Sequence, residues 1–245
     1  MPAFGRVLAR LFVLQASWNY ERMQGVGFGY AAEPALRALE GGPQGARYRA
    51  ALAREAHFFN AHPYFASLAV GAAVRAEMDG EPPERIERLR ETLCGPLGSI
   101  GDRLFWASWL PATSALGLAL VALGARWWAA VAFLVLYNVV HVACRVWGLR
   151  AGWDHGLKVV LALQSPALRA ASRVAAPLAS VVVGAALPIA FAWQLRGASE
   201  RTWLVAAVGA ALFAIVLRLL GPRASGVALA GALLALTWVA GLLWS

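Results

Sequence analysis

Eight side chains able to hold a polar ligand recur in three stretches of the chain. They are Gln15, Asn19, Glu21, Arg22 and Gln24, then Asn60 and His62, then Asp102. Amides and carboxylates each make several hydrogen bonds, the chemistry that grips sugar hydroxyls, and none of the eight is a nucleophile backed by a base. The pattern points to binding and away from catalysis. Two plainer readings stand beside it: Glu21 and Arg22 suit an internal ion pair that fixes packing, and Asn60 and His62 suit turn and capping chemistry. Other chemistries fit poorly. Gly25, Gly27 and Gly29 follow an aromatic stretch and lack the spacing of a dinucleotide loop. His57 and His62 are five apart with Pro63 after the second, so they do not share a helix face as zinc ligands would. Cys94 and Cys144 have no CxxC spacing, which argues against a disulfide framework or a thiolate metal site. No catalytic residue, metal or cofactor is expected.

The elements that position these residues belong to a membrane protein. Of 245 residues 60% are hydrophobic and 14% charged, and the mean hydropathy of +0.60 exceeds that of ordinary globular chains. The charges divide unevenly: residues 1–103 hold 12 Lys+Arg and 11 Asp+Glu, whereas 104–245 hold 10 Lys+Arg with only Asp154 and Glu200. The cations of the second part sit at the ends of apolar runs, where cytoplasmic loops collect them, and no basic stripe interleaved with aromatics points to nucleic acid. Arg6 and Arg10 before a short apolar run resemble a signal peptide, but no small-residue cleavage site follows.

Four or five segments are long and apolar enough to cross a bilayer: 104–124, 127–144, 174–194, 203–220 and 226–244. Ala125 and Arg126 alone separate the first two, which predicts a helical hairpin. The basic connector 145–173 is expected on the cytoplasmic side, so that 174–194 runs outward. Residues 1–103 are read as amphipathic, partly cytoplasmic and partly re-entrant, and 104–245 as the transmembrane region. Phe12, Gln15, Asn19 and Arg22 recur at helical spacing. The glycines at 25, 27 and 29 would then weaken that helix or admit another backbone. A second helix is predicted over Tyr48–Asn60, stopped by Pro63. Asp79–Glu91 reads as a solvated loop leading into a short helix. In 94–106, Pro96 among Gly95, Gly98 and Gly101 predicts broken backbone, with Asp102 capping the helix that follows. The fold class is an all-α integral membrane protein with broken or re-entrant hairpin segments.

Three motifs, LQASWNYERMQGVGFGYAAEPALRAL (14–39), HFFNAHPYFAS (57–67) and GPLGSIGDRLFW (95–106), with a weaker fourth at 133–153, resemble the IID component of the mannose/fructose/sorbose family of the sugar phosphotransferase system. Order and spacing both agree over residues 8–153. The resemblance implies a non-catalytic membrane subunit of the bacterial inner membrane. It would pair with a IIC subunit in a hetero-oligomer of several copies, served by the cytoplasmic phosphocarriers IIA and IIB. It further implies sugar contacts at Glu21 and Asn60, extended to Asn19, Gln24 and His62. Gln15, Arg22, Gly95, Pro96, Gly98, Gly101 and Asp102 take structural or gating roles. Arg103, Leu110 and His141 depart from the family pattern. The alternative to a translocating subunit is a non-transporting, regulatory membrane dock of a reduced system.

Overall fold

The computed structural model describes residues 1–220. Within them the chain is helical and carries no strand, only isolated backbone bridges. Its described residues divide into two compact units, the first Met1–Leu187 and the second beginning at Pro188.

In the first unit, α1 (Phe4–Leu11), α2 (Gly25–Leu36) and α3 (Ala46–Glu55) precede α4 (Ala66–Asp79). Glu33, in the last turn of α2, joins the first three. Arg10 donates to Glu33 at 2.8 Å, Arg37 at 2.5 Å and the Tyr48 hydroxyl at 2.9 Å. Burial by itself would raise the Glu33 carboxyl, but hydrogen bonds from Arg37, Tyr48 and Arg10 together hold it below the usual carboxylate range. Val7, Leu11, Leu14, Phe28, Phe59 and Phe65 fill the space between these helices.

The helix expected through residues 12–22 does not form. α1 ends at Leu11, and Asn19 closes a turn by accepting hydrogen bonds from the backbone N–H groups of Glu21 (3.1 Å) and Arg22 (2.9 Å). A short polar side chain here outcompetes the helical ladder. α2 instead starts at Gly25, and its glycines do admit other backbones: a Cβ at Gly27 would overlap the Leu14 carbonyl, and one at Gly25 that of His57. The approaching chain is Leu14 and residues 56–57. α3 likewise stops at Glu55, five residues short of the expected end.

Gly80, at φ 73°, ends α4, and Pro82 leads into α5 (Pro83–Gly101), which runs on through a π-helical stretch, Asp102–Trp109, into α6 (Leu110–Ala122). The irregularity expected in 94–106 therefore takes another form, a widening of the helix at its end in place of a break. Pro96 lies inside α5, where Gly95 and Gly98 meet no neighbouring atoms that would crowd a kinked turn. The backbone widens only afterwards, where Leu110 N–H donates to Phe105 five residues back and the Ser108 hydroxyl takes up the Arg103 carbonyl at 2.7 Å. Asp102 is exposed within this continuous helix and caps nothing.

α6 and α7 (Trp127–His155) form the expected hairpin around Gly124, at φ 91°. α7 continues eleven residues past the predicted limit of 144, so that Arg145 and Arg150 are helical and not in a loop. At about 1.5 Å per residue α7 outruns a bilayer core of about 30 Å, and its second half packs on α4. A turn and the short α8 (Val160–Leu163) lead to α9 (Pro166–Gln194). Among the described residues three helices are long and apolar enough to span a membrane: Pro83–Ala122, Trp127–Lys158 and Pro166–Gln194. Leu118, Leu134, Val139, Val174 and Val181 on them are exposed, as lipid-facing residues are. The second unit holds the end of α9 and α10 (Glu200–Leu220), where Phe191 and Trp203 meet edge to face. The span expected at 226–244 lies outside the described residues.

Candidate functional site

The first two motifs meet backbone to backbone. Phe59 N–H donates to Arg22 at 3.3 Å and Gln24 N–H to Phe59 at 2.9 Å, so 22–24 runs alongside 59. Gln24 secures the pairing with its side chain: Nε2 donates to the Ala61 carbonyl at 2.7 Å, and Ala61 N–H donates to Oε1 at 3.3 Å. This buried amide does what the sequence reading gave to Arg22, whose half-exposed guanidinium reaches only Glu21, at 3.7 Å. Such an exposed pair contributes little. Gln15, Glu21, Arg22 and Asn60 all face outward, with the Glu21 side chain 82% exposed.

His62 is turned the other way. It is 2% exposed, packed so closely on Gly101 that a Cβ there would overlap it, and stacked on Phe105 at 5.1 Å. This contact is how the third motif joins the other two. Its Nδ1 accepts from Tyr64 N–H at 3.3 Å, which leaves the proton of the neutral ring on Nε2. Burial, aided by the Arg145 charge, lowers its pKa to about 4. Gln24 and His62, expected among sugar contacts, are buried, and the hydrogen bonds and ring contacts they make lie inside the protein.

Neutral His62 has a measurable consequence. Because its folded pKa of about 4 lies below the ordinary 6.5, stability is complete above pH 6.5 and is lost as pH falls from there toward 4. The loss amounts to roughly 3 kcal/mol over that interval. His62→Gln should flatten that part of a plot of thermal midpoint against pH; an unchanged slope would show that His62 is not the titrating group.

Several residues were not read from the sequence as part of this region. Trp18, Tyr20 and Phe58 are exposed beside Asn19, Glu21 and Asn60, Tyr20 to 86%. Aromatic faces next to amides and a carboxylate are apt for the apolar and polar sides of a sugar ring, and the alternation in WNYE and FFN was the available signal. Beneath them Tyr64 stacks on His141 at 4.6 Å and shares a 2.8 Å hydrogen bond with Tyr137. Arg145 lies over the Tyr64 and Phe12 rings and donates to the Leu11 carbonyl at 2.5 Å. These contacts tie α7 to both loops.

An all-helical membrane body with an outward-facing polar and aromatic loop pair defines the class; comparison with known proteins defines the family. Residues 3–220 match the PTS system mannose/fructose/sorbose family IID component, and the chain belongs to that family. It is similar to the mannose-specific EIID component of Escherichia coli K12, 32% identical over 73% of this chain and 64% of the relative. It is also similar to the fructose permease IID component of Bacillus subtilis, 32% identical over 70% and 63%, and to the sorbose-specific EIID component of Klebsiella pneumoniae, 34% identical over 69% and 63%. The matched stretch thus spans just under two thirds of these curated relatives. Among solved structures, a chain of the cryo-EM complex of mannose transporter ManYZ with microcin E492 has a TM-score of 0.60 at 25% identity, covering 89% of this chain and 96% of that one. The family model and the three apolar helices thus agree on a membrane protein of the IID family, as the motifs implied.

Proposed function

We propose that this chain is one half of a sugar-translocating permease. It pairs with a IIC subunit in the bacterial inner membrane, in an assembly of several copies. The complex binds a hexose-type sugar and passes it inward for phosphorylation by IIB, itself charged by IIA. The chain supplies binding and positioning groups while the phosphoryl chemistry stays on those carriers. Within it Glu21 and Asn60 contact sugar hydroxyls, with Asn19, Gln24 and His62 holding the two loops that carry them.

The observation that carries this reading is the exposure of the family motif. A ligand site buries most of its ligand, yet Glu21 is 82% exposed and Tyr20 86%. Residues that open cannot enclose a sugar on their own, so a second chain has to close over them. The solved relative, a mannose transporter of two named parts, supports a partner of this kind.

The test is purification with the partner IIC subunit and calorimetric titration of sugar. Glu21→Gln keeps size and one acceptor oxygen, so the complex should assemble normally. Loss of a hydrogen bond to a charged acceptor should weaken sugar binding by about 1.5–3 kcal/mol. Normal binding by Glu21→Gln would remove Glu21 from the substrate site. An intact complex that binds no sugar would favour the non-transporting dock.

A further inference from the structure

Three arginines gather where α9 enters its span. Arg103, at the start of the π-helical stretch, lines a cavity of about 560 Å³ together with Arg169, Ser172 and Arg173. Arg169 and Arg173 stand four apart on α9, a like-charge spacing that is unfavourable on an isolated helix. No carboxylate among the described residues pairs with any of the three. Arg103 and Arg173 each spend one N–H on a carbonyl of their own helix, at 3.2 and 3.4 Å, which leaves the other guanidinium donors for something else. Charge of one sign, concentrated and uncompensated, calls for an anion.

The neighbouring cavity says which kind. Leu168 lines both the basic cavity and a groove of about 540 Å³ between α9, α7 and the π-helical stretch. Along α9 the groove follows Leu168, Ala171, Ala175 and Leu178, one apolar stripe at helical spacing. Leu168 to Leu178 covers about 15 Å at 1.5 Å per residue, half of a hydrocarbon core about 30 Å thick. Small alanines keep the stripe concave. Trp109 lines the same groove, and its buried indole N–H has no acceptor among the described residues. The neighbourhood thus offers positive charge at one end, a free donor, and an apolar channel one leaflet deep.

We propose that this composite cavity binds an anionic glycerophospholipid, its phosphate held by Arg103, Arg169 and Arg173 and one acyl chain laid along α9 from Leu168 to Leu178. Basic pockets at the ends of membrane helices recognise acidic headgroups in this way. A free phosphate would use the arginines and leave the groove unexplained. The bound lipid offsets the repulsion between Arg169 and Arg173 and fixes α9 against α7. This site is separate from the Glu21 and Asn60 loops and does not depend on their role.

The experiment uses the full chain, purified in detergent with its membrane partner and titrated with dioleoylphosphatidylglycerol or dioleoylphosphatidylcholine under native mass spectrometry. The wild type should retain phosphatidylglycerol in preference. The double variant Arg169→Gln/Arg173→Gln should bind it about 30-fold more weakly, from about five-fold per arginine, with phosphatidylcholine unchanged. Arg169→Lys/Arg173→Lys keeps the charges and should keep the preference. Ala171→Trp fills the groove and should also weaken phosphatidylglycerol. Equal retention of the two lipids, or a Lys variant that loses as much binding as the Gln variant, would overturn the proposal. So would displacement by millimolar inorganic phosphate or undiminished binding by Ala171→Trp, either of which would mark a free-anion site.

Discussion

Gly152→Leu should prevent recovery of folded protein from membranes. α4 crosses α7 at Gly148 and Gly152, a small-residue pair four apart that lets helix backbones touch. A Cβ at Gly152 would overlap the Leu68 carbonyl, while Leu68 itself is fully buried. The obstacle is backbone, which a rotamer change cannot remove, so the helices have to separate. Overpacking a core costs about 1–3 kcal/mol when side chains alone adjust; here the main chain has to move, and the cost should exceed that range. Separation would also withdraw Arg145 from the Leu11 carbonyl and His141 from Tyr64, loosening the loop that carries Glu21. Fluorescence-detected size-exclusion chromatography after detergent extraction reads the result. A monodisperse peak of wild-type height and thermal midpoint would show that the crossing tolerates a side chain. Gly117→Ala on α6 serves as the control, since the nearest atom to a Cβ there is Phe133 Cβ at an ordinary 3.7 Å.

That crossing was present in the sequence and easily passed over. Gly148 and Gly152 fall in 145–173, which its arginines made look like a cytoplasmic loop. Arg145 was counted there as a surface cation, yet it is 5% exposed and donates to a carbonyl 134 residues earlier. Local charge cannot reveal a partner at that distance. The helical hairpin of α6 and α7 was legible because two long apolar runs around a two-residue connector leave little other geometry. Residues 12–22 read as a helix because polar residues three and four apart also arise in successive turns, and Asn19 decides between the two through backbone N–H groups that periodicity does not register. Pro96 reads as a break because proline and three glycines disfavour helix; burial of Leu93, Leu97 and Gly101 within the first unit overrides that preference. The polar residues of the two loops are legible by type. Which faced outward was not, since Gln24 and Asn60 look alike in sequence and differ only in what the fold lays over them.

Arg90→Met is the other substitution expected to be severe. Arg90 and Glu55 are buried together, with side chains 3% and 0% exposed. The 3.2 Å approach of Nε to Oε2 is a contact of charges without hydrogen-bond alignment. The aligned bonds go elsewhere: Nη1 donates to the Arg54 carbonyl at 2.6 Å, and Nη2 to those of Glu55 and His57 at 3.1 Å each. The cation also lies 4.8 Å from the Phe28 ring centre. One guanidinium on α5 thus closes the end of α3 and aims the loop that leads to Asn60. Methionine fills comparable space but leaves three carbonyls without these donors and Glu55 buried without its countercharge. Breaking a buried pair in this way costs about 3–5 kcal/mol. Arg90→Lys keeps the charge but not the fork, so it should recover only part of the loss. Replacing both partners, as Arg90→Met with Glu55→Leu, removes the stranded carboxylate and should restore more than half of it. Thermal unfolding of the wild type, Arg90→Met, Glu55→Leu and the double variant in one detergent gives the coupling directly. If the double variant is as unstable as Arg90→Met alone, the carbonyl bonds and not the ion pair hold this corner; if Arg90→Met melts with the wild type, the buried arginine is dispensable and the loop takes its aim from Gln24.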